Sequence, residues 1–397
     1  MLSLSMIVRD EAERLAACLD SVAGFVQEIV VVDTGSSDDT VAIARQQGAT
    51  VHALPWPGDF APARNAALEL VQGDWVLVLD ADEQLLPEAR PALKALMAQP
   101  DVLLINLLRY ERGARQSPYS NVSRLFRRHP GIRWSKAYHA MVDDSVAAVL
   151  TAEPHWRIAD CSQPCLVHDG YRPDLLLAGR KAERLRQAME QELIATPNDP
   201  YASAKLGGLE ISEGNRERGL ALLEAALAHC PASARVERYE LLLHLGIGHA
   251  STTPARSEQL YQEALALGLN PRLSLAARLN LAALLVQRGA LEEANRLCDA
   301  AVRLCPEVAL GWYNLGLVRR RQGDIAGALE AYEAARQLAP DHAETHQNLA
   351  AAQLLGGNIE AARGSFRTAI SLLRQQGRAE EADRLRQQAG AIVKLEG

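Results

Sequence analysis

The chain has 397 residues, more than one ordinary domain needs, so two or three domains are expected. Apolar residues make up 48% of it and charged residues 23%, which excludes a wholly disordered chain, a collagen and a disulfide-stapled miniprotein. The net charge of −7 offers nucleic acid no global attraction. The six cysteines (Cys18, Cys161, Cys165, Cys230, Cys298, Cys305) form no CxxC pair and no Cys/His zinc spacing, so buried free thiols are expected. The apolar opening stretch stops at Val8, too short for a secretory signal. No run approaches 18 apolar residues; no membrane span and a cytoplasmic location are expected.

The first half alternates short β-branched runs with helical patterns. A strand is predicted over 4–8, then a helix over 11–22 with Leu15, Cys18, Leu19 and Val22 on one face. A strand over 28–32 follows, then a helix over 37–47 that Ser36 or Ser37 caps and Gly48 ends. A strand over 50–53, a helix over 59–71 and the buried strand WVLVL over 75–79 complete the series. Continuous apolar strands alternating with helices predict a parallel sheet covered on both faces.

From about residue 172 the chain reads as helix, opening with a long one over 173–195. An internal repeat of 34 residues then appears. Leu281, Leu315 and Leu349 keep that step, as do Gly289, Gly323 and Gly357, and Ala294, Ala328 and Ala362. Asn280, Asn314 and Asn348 precede the repeated leucines, and Pro306 and Pro340 close successive units. Small alanines let the two helices of a hairpin approach, and the glycine turns the chain between them. The period and the W-x2-L-G pattern of Trp312, Leu315 and Gly316 resemble tetratricopeptide repeats, three regular units and two poor ones. A polar helix over 374–393 is expected to cap the array. The expected division is 1–172, a connecting helix over 173–196, and the array over 197–397.

The chemistry concentrates at strand ends. Asp80-Ala81-Asp82-Glu83 follows WVLVL directly, and crowded carboxylates there call for a cation. Mg²⁺ or Mn²⁺ shared with phosphate oxygens suits a DxD at that place. Asp33 ends the other buried strand, in VVDTGSSDDT. Ligands of open parallel sheets bind beyond the carboxyl ends of the strands, so Asp33, Asp80 and Asp82 share one edge. Residues 109–136 hold seven Arg and one Lys against Glu111, a local excess that suits a diphosphate or an anionic acceptor.

The opening strand followed by RDEAERL, the VVDTGSSDDT turn, FAPARNAAL and GDWVLVLDADE together resemble family 2 glycosyltransferases of the GT-A fold, over about residues 1–175. The added repeats are similar to a subgroup that includes bacterial peptide S-glycosyltransferases. The expected fold is therefore an α/β GT-A domain followed by an all-α tetratricopeptide solenoid. The resemblance implies a metal-dependent inverting transfer from a nucleotide sugar, with a UDP-sugar the first candidate, to an acceptor that is a peptide, a protein, a glycan or a lipid.

It also implies roles for single residues. Asp33 meets the base, Asp80 the ribose, and Asp82 the metal on the diphosphate. Glu11, Arg64 and Asn65 lie near the nucleotide, and His168 in LVHDGY completes the metal site or contacts the diphosphate. The subgroup's His-Glu falls at His139-Ala140, so the usual glutamate is missing. His139, Asp143 and Asp144 are the remaining candidates for the base that deprotonates the acceptor. The repeats are expected to present the acceptor or a protein partner, with the asparagine ladder free to bond a peptide backbone. Two rivals fail for want of a Gly-rich phosphate loop or GxGxxG: a nucleotidyltransferase and a dinucleotide oxidoreductase. A catalytically silent scaffold, built around the repeats, is the alternative from another class.

Overall fold

The computed structural model describes residues 1–114, 118–136, 140–169 and 181–393. The chain forms two compact units, Met1–Ala188 and Met189–Gly397. Among the described residues no helix is long and apolar enough to cross a membrane.

The first unit runs β1 (Leu2–Val8), α1 (Leu15–Val22), β2 (Glu28–Asp33), α2 (Thr40–Gln46), β3 (Thr50–Ala53), α3 (Phe60–Leu70) and β4 (Trp75–Val78). It continues with β5 (Glu83–Leu85), α4 (Arg90–Met97), β6 (Val102–Glu111), β7 (Tyr119–Arg127), α5 (Asp143–Ala152) and β8 (Arg157–His168). The eight strands lie in the order β3-β2-β1-β4-β7-β6-β8-β5. The expected parallel sheet holds for β1 to β4. Beyond β4 the sheet is mixed, because β6 returns directly as β7 and so short a connection can only join antiparallel strands.

Alternation along the strands sorts the core into two faces. On one face Leu4, Met6 and Leu77 pack with Leu15, Leu19 and Val22 of α1, Ala44 of α2 and Leu93 of α4. On the other, Val30, Val76, Val78 and Phe126 pack with Ala61 and Leu68 of α3 and Val146 and Val149 of α5. Asp59 caps α3 by accepting from the Ala61 amide at 2.8 Å. All six cysteines are buried free thiols.

A helix α6 (Lys181–Ala195) leads to five hairpins: α7 (Pro200–Ser212) with α8 (Arg216–His229), α9 (Arg235–His249) with α10 (Pro254–Ala266), α11 (Leu275–Arg288) with α12 (Leu291–Leu304), α13 (Ala309–Gln322) with α14 (Ile325–Leu338), and α15 (Ala343–Leu355) with α16 (Ile359–Gln375). The helix α17 (Ala379–Gly390) covers the last hairpin with Ala382, Leu385 and Ala389. Gly289 and Gly323 end α11 and α13 at φ +83°, the left-handed turn that glycine supplies. Gly316 has a different task. A Cβ there would stand 2.6 Å from the buried Tyr332 ring, so only glycine lets α13 and α14 close.

The asparagine ladder is not free, contrary to expectation. Asn314 is buried and donates to the Leu279 carbonyl at 3.2 Å. Asn348 donates to the Tyr313 hydroxyl at 3.1 Å. These amides tie one hairpin to the previous one, because stacking leaves carbonyls and hydroxyls of the neighbouring helix within their reach.

Candidate active site

The carboxyl ends of β1, β2 and β4 share one edge of the sheet. Asp33 stands opposite Val8 in the register and is 8% exposed. Its carboxylate accepts from the Gly35 and Ser36 amides at 3.2 Å. A carboxylate has about four lone-pair sites, so it keeps acceptor capacity toward a ligand. The loop after β1 is tied to the loop after β2. Asp10, at φ +53°, accepts from the Ser37 amide at 2.7 Å and hydroxyl at 3.0 Å. Ser36 in turn accepts from the Asp10 amide at 2.9 Å. The expected caps Ser36 and Ser37 thus link two loops, and α2 starts later, at Thr40 after Asp39.

Asp80 stands between two guanidiniums. Arg64 of α3 meets one carboxylate oxygen at 2.6 Å, and Arg124 of β7 meets the other at 2.8 Å. Burial opposes its charge, yet Arg124 and Arg64 outweigh that and hold the carboxyl far below the usual carboxylate range. A third of its side chain stays exposed (35%), enough to reach a hydroxyl of a ligand. Both arginines lie over the Trp134 ring, at 4.9 and 5.7 Å.

Arg124 reaches Asp80 because β7 bulges. Ile105 pairs with Leu125 while Leu107 pairs with Val122, so two steps of β6 face three of β7. The extra residue at Ser123–Arg124 re-aims side chains, as bulges beside active sites do. Ser123 then donates to Asp143 at 2.8 Å.

A second cluster lies in register across β6, β8 and β5. Glu111 and Glu83 are the two strand neighbours of His168. Glu111 meets His168 Nδ1 at 2.5 Å, and His168 Nε2 lies 3.3 Å from Asp82. Arg109 bridges Glu83 at 2.5 Å and Glu111 at 2.8 Å. Glu83 also accepts from the Asp80 amide at 2.9 Å. Arg14 joins Glu11 at 2.5 Å and approaches Asp82 at 3.8 Å. Burial disfavours a charged imidazole, but hydrogen bonds to Asp82 and Glu111 push His168 up to about 9. Burial likewise opposes the Glu111 charge, and His168 with Arg109 brings it down to about 2. The network therefore sets five carboxylates against four guanidiniums and one imidazolium.

Asp82 and His168 offer one carboxylate and one imidazole to the same spot. Among the described residues no three His, Cys, Asp or Glu form a metal cage. A cation at this pair would need its remaining ligands from diphosphate and water, as is usual for Mg²⁺ with phosphates.

The other expected residues have these surroundings. Asn65 donates to the Trp134 carbonyl at 3.0 Å and accepts from its amide at 2.9 Å, so it fastens the chain beneath Arg64. The described arginines of 109–136 face the protein itself. Arg109 and Arg124 are in the network, Arg127 bonds the Val102 and Gln99 carbonyls, and Arg128 bonds the Gly73 carbonyl. Arg112 pairs with Asp169, and Arg133 with Glu69. Glu11 is partly buried beside Arg14, and desolvation raises its pKa. Asp143 and Asp144 open α5; Asp144 accepts from Ser135 at 3.1 Å. The Asp143 residue is exposed, yet the protein around its carboxyl raises the pKa. His139 lies outside the described residues. Sequence reasoning did not single out Arg14; Glu83 lay in its acidic run and Arg109 and Arg124 in its basic segment, but their pairing with Asp80, Glu83 and Glu111 was not foreseen.

Comparison with known proteins identifies the two parts of the chain. The family model for Glycosyl transferase family 2 matches residues 3–158. Tetratricopeptide repeat models match residues 253–309 and 307–375. A TPR repeat-containing protein of Synechococcus elongatus is 41% identical over 385 residues, 96% of this chain and 95% of that one. An uncharacterized glycosyltransferase of Rickettsia felis is 41% identical over 97 residues, 24% of this chain and 34% of that one. The SPbeta prophage-derived glycosyltransferase SunS of Bacillus subtilis is 26% identical over 203 residues, 50% of this chain and 46% of that one. The chain belongs to one family with the TPR repeat-containing protein of Synechococcus elongatus, and it joins an N-terminal family 2 glycosyltransferase domain to tetratricopeptide repeats.

Proposed function

We propose that the protein transfers a sugar from a nucleotide diphosphate donor, with inversion, in a metal-assisted reaction whose site lies within residues 1–172. The observation that carries the reading is that Asp33 and Asp80 lie at the carboxyl ends of the parallel strands flanking β1, with His168 Nε2 3.3 Å from the adjoining Asp82. Asp33 takes the base, for which a uracil of a UDP-sugar is the first candidate. The exposed third of Asp80 takes the ribose. Asp82 and His168 hold Mn²⁺ or Mg²⁺; when bound, the ion stabilises the negative charge that develops on the leaving diphosphate.

The chain's own groups do the rest. Asp143 or Asp144 accepts the proton from the acceptor's nucleophilic atom. Its raised pKa suits Asp143 to that task better than an ordinary surface carboxylate. The acceptor atom bonds to the anomeric carbon as the bond from that carbon to the diphosphate oxygen breaks. One displacement inverts the centre and frees the nucleoside diphosphate. Arg64 and Arg124 keep Asp80 ionised throughout. The repeats bind the acceptor, a peptide or protein in our reading, or a protein partner that delivers it. The setting is the cytoplasm, where nucleotide sugars are made.

The test is release of nucleoside diphosphate from UDP-, GDP- and dTDP-sugars with and without Mn²⁺. Metal-dependent turnover in the wild type, lost in Asp82→Ala, is expected. Absence of turnover with every donor would favour the silent scaffold.

A further inference from the structure

We infer that Glu83, Arg109 and Glu111 are positioning residues that fix the His168 imidazole and the 80–83 loop in the geometry transfer requires. The inference rests on the reading of Asp82 and His168 above and extends it to residues that touch neither donor nor acceptor.

The fold builds the arrangement from strand register. His168 of β8 stands opposite Glu83 of β5 and beside Glu111 of β6. Arg109 lies two residues before Glu111 and so on the same face of β6. Glu83 is fully buried, and Glu111 is 4% exposed. Two carboxylates so close and so dry repel unless a cation divides them. Arg109 does so with separate nitrogens, Nη1 to Glu83 and Nη2 to Glu111. A lysine ammonium is a single point and lacks this fork.

Each remaining oxygen is aimed at the site. Glu83 Oε2 accepts from the Asp80 amide and sets the start of the acidic loop. Glu111 Oε1 also accepts from the Ser120 hydroxyl, and Oε2 faces His168 Nδ1. A carboxylate at Nδ1 demands N–H there. A cation beside Asp82 would displace the Nε2 proton of the imidazolium, and the Nε2 lone pair of the then neutral ring would face it. Arg109 therefore couples the Asp80–Glu83 loop to the orientation of His168.

The experiment uses the full-length protein with UDP and Mn²⁺ or Mg²⁺ as probes. In the wild type saturated with Mg²⁺ and UDP, ¹H–¹⁵N correlation of labelled histidine should show His168 protonated at Nδ1 and bare at Nε2. A ring protonated only at Nε2 overturns the inference. A ring protonated at both nitrogens counts against the parent reading instead. Glu111→Gln should then mix the tautomers and weaken Mn²⁺ binding in the presence of UDP by 10–100-fold, read by electron paramagnetic resonance. Arg109→Lys keeps the charge and serves if Glu111→Gln does not fold; a similar loss of Mn²⁺ affinity is expected. Asp82→Ala is the control. If it abolishes Mn²⁺ binding while both other variants bind Mn²⁺ as the wild type does, the positioning role falls and the metal reading stands. If Asp82→Ala itself binds normally, the metal reading falls.

Discussion

At the scale of single residues, Asp80 shows how charge is made affordable at a sheet edge. Its carboxylate is paired on both oxygens, and the two guanidiniums lie over Trp134. Removing one partner leaves the other pair strained. Arg124→Met should lower stability by about 1–3 kcal/mol, less than for a fully buried pair, because Asp80 is a third exposed. Urea unfolding followed by tryptophan emission measures it. Four of the five tryptophans (Trp56, Trp75, Trp134 and Trp156) precede the repeats, so the signal reports on the sheet unit. The pH dependence has a definite sign. The Asp80 carboxyl ionises more easily folded than unfolded. Its contribution is therefore complete above about pH 4 and is lost as pH falls below that value. The stability gap between wild type and Asp80→Asn should narrow from pH 6 to pH 3. A gap that widens would refute the pairing.

At the scale of elements, two local devices set the geometry. The bulge at Ser123–Arg124 turns Arg124 toward Asp80 and Ser123 toward Asp143, so one extra residue serves both ends of the site. In the array, bare α-carbons let helices meet. Gly246 faces the Tyr261 ring and Gly316 the Tyr332 ring, each closer than a Cβ allows. Gly316→Ala should therefore destabilise the array by about 1–3 kcal/mol through overpacking, although alanine is the better helix former. Adding Tyr332→Leu should recover part of the loss, since the ring is what a new methyl meets. Thermal unfolding followed by circular dichroism tests both. Stabilisation by the single change would show that the ring has room to move.

At the scale of the whole molecule, the two units give separable expectations. A ligand that binds only folded protein raises stability by about 2.7 kcal/mol at a hundred times its dissociation constant. UDP with Mn²⁺ should raise the midpoint read by tryptophan emission, and Asp33→Ala should shrink that rise even without metal. An unchanged rise would place Asp33 outside the base site. Ending the chain after Gln191 should spare slow donor hydrolysis and remove transfer to the true acceptor. Transfer that persists in a folded truncation would deny the repeats that role.

The periodic features were legible along the chain. The 34-residue step announced the hairpins, and continuous apolar runs announced β1 to β4, because burial patterns repeat with the local geometry of helix and strand. The place of Asp33, Asp80 and Asp82 on the sheet edge was legible too, since each follows an apolar run that forms a buried strand. The pairing of Arg109 with Glu83 and Glu111 was not, nor the fastening of Asn65 to Trp134 and of Asn314 to Leu279. Their partners lie across strands or on the next hairpin, and registry between distant segments leaves no local period to read. The surplus of arginine in 109–136 looked like a ligand site for the same reason: its carbonyl and carboxylate partners are supplied by other strands. Sequence alone thus determined the elements, the repeat and the acidic edge. Tertiary packing decided which of those charges stay open to a ligand and which neutralise one another, because only contact between remote segments removes water from a charge and sets its partner.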